Sequence, residues 1–313
     1  MNHKILSCQI LLVLAYCYVQ SGVVLASEHA DALYSKVRRN EQGFSVGVAG
    51  DLGCGPEVNS TIKNIQNQSV QLVLALGDLS YQRESANCWF DIIAPVQSMM
   101  KIVLGDQDYR SDSVLRQYKT HFNLTKDYYS FDYKFVHFVA LATEIPYDLN
   151  SPQYKFIQYD LETASQNPNV KWIIVYSYRP QYSSSTEHPG NRDLRDTFHP
   201  LFQKYGVDLI LQAHNHNYQR TYPISPETSS SPYAIITDSN SNSYQAPEGQ
   251  IFVTVGTGGA DLHSLSDKAI YTVTQYMGYG FLKIFFTEDG KTLTGIFYPN
   301  EGGSIADTFK ISK

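Results

Sequence analysis

The sequence predicts a mixed α/β (α+β) fold whose functional residues gather at the carboxyl ends of buried parallel strands. Three observations lead there. Residues 44–49, 70–76 and 100–104 are short, largely apolar runs with the length of strands buried on both faces. Each run leads straight into Gly-Asp, at Gly50-Asp51, Gly77-Asp78 and Gly105-Asp106. Helical segments alternate with strands in the first half, whereas strands and turns dominate from Gln250 onward.

Residues 1–26 stand apart from this pattern as a signal peptide. Lys4 supplies a positive start, an apolar stretch follows, and Val24-Leu25-Ala26 resembles a small-residue cleavage site before Ser27. The rival, an uncleaved membrane anchor, is disfavoured because the apolar stretch is short and broken by Gln9 and Gln20. Cleavage makes the protein secreted or otherwise extracytoplasmic, with residues 27–313 as a single domain. Within it, 56–67 reads as a helix with Pro near its start, and 88–99 as a second with Trp89, Ile92, Ile93 and Val96 on one face. Residues 128–133 and 135–142 read as paired strands, 151–165 as a helix, and 170–175 as a buried strand ending at Tyr176-Ser177-Tyr178. A loop at 181–192 precedes a helix at 193–205. The strand at 207–211 then delivers Ala213-His214-Asn215-His216. Residues 225–248, rich in Ser, Asn and Pro, lack either period and read as an exposed loop. After a strand at 251–255 and the turn Gly256-Thr257-Gly258-Gly259, Glu288-Asp289-Gly290 marks a hairpin between 280–287 and 291–298.

The chain has 313 residues and a formal net charge of −6. With no run of Lys or Arg, it offers no footprint for nucleic acid or for a membrane surface once the leader is gone. Cys54 and Cys88 follow the first and second Gly-Asp units, so they read as a disulfide of an exported protein or as two buried thiols, the disulfide being favoured. Asn59, Asn67 and Asn123 each begin a glycosylation acceptor pattern.

One Gly-Asp after a strand is ordinary, because Asp caps turns and helices. Three in series, joined by Tyr81 and the His214/His216 pair, crowd carboxylates, a phenol and imidazoles at one sheet edge. Buried carboxylates repel one another, so this cluster calls for a cation, and the mixed O/N set suits Fe, Mn or Zn.

The ordered series Asp51, Gly77-Asp78-x-x-Tyr81, Gly105-x-x-Asp108, Val175-x-x-Tyr178 and His214-x-His216 resembles that of the purple acid phosphatases, a branch of the calcineurin-like metallophosphoesterases. The resemblance implies a four-layer metallophosphoesterase fold, a two-sheet β-sandwich flanked by helices, with two metals at the strand ends. By the same resemblance, Asp51, Asp78, Tyr81 and His216 match the ligands of an iron half-site, with Asp78 bridging. His214 matches a ligand of a second, divalent half-site taking Fe, Zn or Mn. The implied reaction is hydrolysis of a small phosphate monoester by a metal-bound hydroxide. Three positions depart from the family pattern. Asp106 stands for Asn, Gln107 for a substrate-facing His, and Tyr178 for a ligand His. Asp106 and Tyr178 either still hold a metal in an altered hydrolase, or the second metal is lost and the protein is a pseudo-phosphatase that binds a ligand or partner, or Tyr178 and Gln107 are ordinary packing residues closing an empty cleft. Related phosphatases carry a proton-donating His in the loop occupied here by His188, whose alternative is an exposed loop residue. His121, His137 and His199 read as structural, and His263 is unassigned.

Overall fold

Two seven-stranded sheets stack face to face, because the apolar runs bury both of their faces. The computed structural model describes residues 42–184, 187–227 and 234–313, and residues 43–313 form one unit. The leader assigned to residues 1–26 lies outside the described residues. In the first sheet, β1 (Gly43–Ala49), β2 (Leu72–Ala75) and β3 (Met100–Ile102) run parallel. The hairpin β14 (Gly280–Thr287) and β15 (Thr292–Pro299) continues the sheet antiparallel to β1, followed by β16 (Asp307–Ser312) and β11 (Ser243–Gln245). The second sheet has parallel β5 (Val136–Leu141), β6 (Trp172–Ser177), β7 (Leu209–Gln212) and β12 (Ile251–Val255). Its flanks are β4 (Tyr129–Tyr133) on one side, and β8 (Tyr218–Thr221) and β13 (Thr272–Tyr276) on the other.

Val46, Val48, Leu72 and Leu74 of the first sheet meet Phe138, Ile174, Leu211 and Val253 of the second in one apolar layer. The outer face of the first sheet is covered by α1 (Pro56–Asn67), α2 (Asn87–Ile93) and, after the short α3 (Asp106–Tyr109), α4 (Asp112–His121), through Ile62, Trp89 and Tyr118 among others. The outer face of the second is covered by α5 (Pro152–Gln166) and α6 (Arg192–Tyr205), through Ile157, Leu161, Phe198 and Phe202. The result is helices, sheet, sheet, helices. Local chemistry fixes the helix ends. Pro56 opens α1, where its missing N–H costs nothing. Ser151 and Asn191 cap α5 and α6 by accepting from Tyr154 N and Leu194 N. Gly206, at φ 65°, ends α6 in the left-handed region.

Several sequence expectations need correction. The helix expected at 88–99 stops at Ile93, and a 3₁₀ turn (Gln97–Met99) follows, because Pro95 cannot continue the ladder. The α4 helix had no counterpart in the sequence pattern, since only Val114 and Tyr118 on it are buried. The strand expected at 170–175 runs Trp172–Ser177. The segment 225–248 is more than a loop. It contains β11 together with most of a small ribbon, β9 (Ile224–Ser225) paired with β10 (Ile235–Ile236). Tyr244 is the only buried residue of β11, too short a run to show a period. Cys54 and Cys88 form a disulfide that ties the loop after β1 to α2. Among the described residues, no helix is long and apolar enough to cross a membrane.

His137 is structural, as expected, and it is doubly paired. Its Nδ1 lies 2.6 Å from Asp132 Oδ1 on β4, and its Nε2 lies 2.9 Å from Asp160 Oδ2 on α5. Burial opposes the charge, but these carboxylates outweigh it and raise the imidazole above its ordinary value. A raised histidine contributes stability that is complete below its unfolded value near 6.5 and fades as pH climbs through the folded one. His137→Gln is therefore expected to lower stability by about 2 kcal/mol at pH 5.5. The gap between the two proteins in thermal unfolding narrows toward pH 8.5; a constant or widening gap contradicts the assignment.

Candidate metal centre

The site is built on strained backbone. Asp51 (φ 54°), Asp78 (φ 50°), Tyr81 (φ 58°) and His214 (φ 69°) are half of the eight non-glycine residues with positive φ among the described residues. Each such residue costs about 1–3 kcal/mol and persists only where its surroundings over-determine it. Here the loops after β1, β2, β3 and β7 are laced together. Asp51 N, Leu52 N and Gly53 N donate in succession to the carbonyls of Gly77, Asp78 and Leu79. Asp108 accepts from Leu79 N (2.9 Å) and Gly105 N (2.8 Å). Asp51 Oδ2 accepts from His214 N at 2.8 Å, and Asp78 Oδ1 from Gln107 N at 2.9 Å.

Three donor atoms converge in a first group. Tyr81 Oη lies 3.3 Å from Asp51 Oδ1 and 3.0 Å from His216 Nε2, and the latter two are 3.4 Å apart. The Nδ1–H of His216 donates to the Asp261 carbonyl, so Nε2 is the ring nitrogen turned to the carboxylate and the phenol; burial opposes its charge, but Asp51 outweighs it and raises the imidazole above its ordinary value. Asp51, Asp78 and Asp108 are each 2% exposed or less. Burial, and then the charges of Asp51 and Asp108, push Asp78 well above the usual carboxylate range. An imidazole nitrogen and a phenol oxygen turned to a buried carboxylate, within a crowd of carboxylates, fit a hard cation.

Asp78, expected to bridge two ions, turns its Oδ2 to a second group. There the hydroxyl of Tyr178 lies 2.6 Å from Asp78 Oδ2, 2.9 Å from Asp106 Oδ1 and 2.7 Å from His214 Nδ1. Burial opposes ionisation of Asp106, yet the Tyr178 hydrogen bond and the His214, Arg179 and Arg110 charges bring it below its ordinary value. Burial first holds His214 down, to about 4. The Tyr178 hydroxyl thus stands among Asp78, Asp106 and His214, the positions that the resemblance assigns to a second ion. Gln107 is held at the rim by Arg83, whose guanidinium donates to its carbonyl (3.0 Å) and its Oε1 (2.8 Å).

The loop histidines close over the two groups. His188 stacks on His214 with ring centroids 4.0 Å apart, and Asn215 grips its backbone from both sides. His263, unassigned by the sequence, stacks on His216 at 3.9 Å and accepts the His216 N–H at its Nδ1. Ligand atoms of Glu187, His188 and His263 lie within 4.8 Å of one another. However, the accepting Nδ1 puts the proton of neutral His263 on Nε2, facing Glu187 Oε2 at 3.5 Å. That pair is a carboxylate–imidazole contact rather than a ligand set. His121 and His199 lie away from the site, His121 stacked on Phe90 and His199 hydrogen-bonded to Tyr182 and Gln250. Asp108, Asp261 and Arg179 escaped the reading of site roles. Only the three-residue spacing of Asp108 from Gly105 was a usable signal.

Carboxylates, a phenol and an oriented imidazole thus gather at the ends of parallel strands. The calcineurin-like phosphoesterase family matches residues 44–218, more than half of the chain, and the chain belongs to that family. Acid phosphatase type 7 of Homo sapiens is 27% identical over 68% of this chain and 54% of its own. Purple acid phosphatase 21 of Arabidopsis thaliana is 27% identical over 74% of this chain and 53% of its own. The same plant's "Probable inactive purple acid phosphatase 1" is 30% identical over 61% of this chain and 31% of its own. The chain thus spans about half the length, or less, of these curated relatives. Among solved structures, the purple acid phosphatase PPD1 of yellow lupin (Lupinus luteus) superposes with a TM-score of 0.72 at 24% identity, covering 87% of this chain and 54% of that one. GAP50, described as the anchor in the inner membrane complex of Plasmodium, gives 0.66 at 16% identity over 86% of this chain and 88% of its own. These two show the shared fold.

The close approach of the β2 and β3 loops depends on Gly105, where a Cβ would lie 2.2 Å from Asp78 Oδ1 and 2.6 Å from Asp78 N. Gly105→Ala is expected to destabilise the chain by about 1–3 kcal/mol in urea unfolding. An unchanged midpoint contradicts the packing described here.

Proposed function

We propose that this protein takes up an iron-type ion at Asp51, Asp78, Tyr81 and His216, and engages small phosphate monoesters there with reduced or altered hydrolysis. The observation that carries this reading is the convergence of Asp51 Oδ1, Tyr81 Oη and His216 Nε2, with the imidazole proton tied away to Asp261. When bound, a hard ion supplies a more acidic water and a Lewis acid for phosphoryl oxygen. The chain's own residues do the rest. Asp51 uses one oxygen toward the ion and the other to hold His214 N. The Asp261 carbonyl fixes the ligating tautomer of His216. Gln107 carries no proton to give a leaving group, which leaves His188, positioned by Asn215 and His214, as the candidate general acid. Family membership and the acid phosphatase relatives support the reading.

A second reading, a pseudo-phosphatase that binds without turnover, is favoured by Tyr178 and Gln107 and has a precedent among relatives named as inactive. In either case the proposed setting is extracytoplasmic, after loss of the leader at residues 1–26, and the Cys54–Cys88 disulfide suits such a compartment.

Metal analysis of chain purified without chelator, set beside Asp51→Ala, checks the proposal. Bound ion is expected in the native protein and lost in the variant, with a visible phenolate band that disappears in Tyr81→Phe. Equal, metal-free signals from native and Asp51→Ala would falsify it. Aryl phosphate hydrolysis separates the two readings: slow turnover that depends on Asp51 favours the hydrolase, and binding without turnover favours the pseudo-phosphatase.

A further inference from the structure

We infer that the hydroxyl of Tyr178 takes the seat of the second ion, so that this chain holds one metal where the purple acid phosphatase pattern provides for two. The inference rests on the metal-binding reading above and deepens it. Asp78 Oδ2, Asp106 Oδ1 and His214 Nδ1 surround the phenol oxygen at 2.6, 2.9 and 2.7 Å. A transition-metal ion held by these atoms would stand roughly 2.0–2.2 Å from each. The phenol oxygen is already hydrogen-bonded to all three atoms that such an ion would need. An ion drawing on their lone pairs would have to break all three hydrogen bonds.

The ring has no ready retreat. Tyr178 is 1% exposed. A Cβ on Gly77 would lie 2.8 Å from its Cδ2, and one on Gly105 would lie 2.8 Å from its Cε2. One edge of the ring thus runs along two glycine backbones, in a slot that exists because neither carries a side chain. The His214 ring packs against it with centroids 4.8 Å apart. Arg179, the next residue, adds a fixed charge. Its guanidinium grips Glu144 through Nε (2.6 Å) and Nη2 (2.8 Å), which leaves Nη1 3.5 Å from His214 Nε2.

Metal stoichiometry tests this directly. Native protein, Tyr178→Phe and Tyr178→His are equilibrated with excess iron and zinc, separated from free metal, and analysed. One ion per chain is expected in the native protein. About two are expected in Tyr178→Phe, which keeps the ring in its slot but deletes the oxygen from among the three donors. Tyr178→His carries the same expectation and serves if the Phe variant does not fold. A ferric ion in the native chain should give an uncoupled high-spin paramagnetic signal. Two ions in the native chain, or spin coupling between them, would overturn the inference while leaving the metal-binding reading intact. No ion in the native chain would overturn that reading and the inference with it. One ion in the native chain and in both variants would show that something other than the hydroxyl excludes the second, which also overturns the inference.

Discussion

Several carboxylates buried within reach of one another set the terms for the rest of this molecule. Asp51, Asp78 and Asp108 lose nearly all their water, and a carboxylate so placed is costly unless something positive or hydrogen-bonding answers it. The fold answers each differently. Asp108 spends its charge on backbone amides and serves as the staple between the β2 and β3 loops. Asp51 takes the His214 amide on one oxygen and aims the other at Tyr81 and His216. Asp78 takes an amide and a phenol. The ladder between the loops, and the tight fit at Gly105, hold four left-handed side chains in place against their strain.

The two halves of the centre therefore differ in kind. The first sets a carboxylate, a phenol and an imidazole whose Nδ1 proton is tied to the Asp261 carbonyl at 3.0–3.4 Å from one another, which fits a cation. The second is a closed hydrogen-bonded knot around Tyr178, backed by the Arg179–Glu144 pair. In a two-metal hydrolase, both ions hold phosphoryl oxygens and share the developing charge. A protein that keeps one half retains an anchor for a phosphate oxygen and loses part of that stabilisation. This asymmetry agrees with a family whose relatives here include acid phosphatases and two named as probably inactive.

Much of this was legible in the sequence, because strand-Gly-Asp units carry both a period and a chemistry. The parallel strands, the sheet-edge cluster, the C-terminal hairpin and the cysteine pair all stand where their residues place them. What escaped detection did so for physical reasons. Pro95 shortened α2 within a stretch whose apolar spacing still read as helix. The α4 helix buries two residues, and β11 one, so neither carries a countable period. His263 reaches His216 only through the fold of the loop after β12. Tyr178 was visible as a departure. Where its oxygen lies depended on how Gly77 and Gly105 seat the ring, and no one-dimensional pattern states that.

The most direct measurement is anomalous X-ray scattering from crystals of the native protein grown with iron and zinc, recorded at both absorption edges. The account predicts one anomalous peak, among Asp51, Tyr81 and His216, and none within bonding distance of Asp106 or His214, with the Tyr178 oxygen in ordinary density between them. Two peaks roughly 3.5–4 Å apart, the spacing of a two-metal hydrolase, would contradict it.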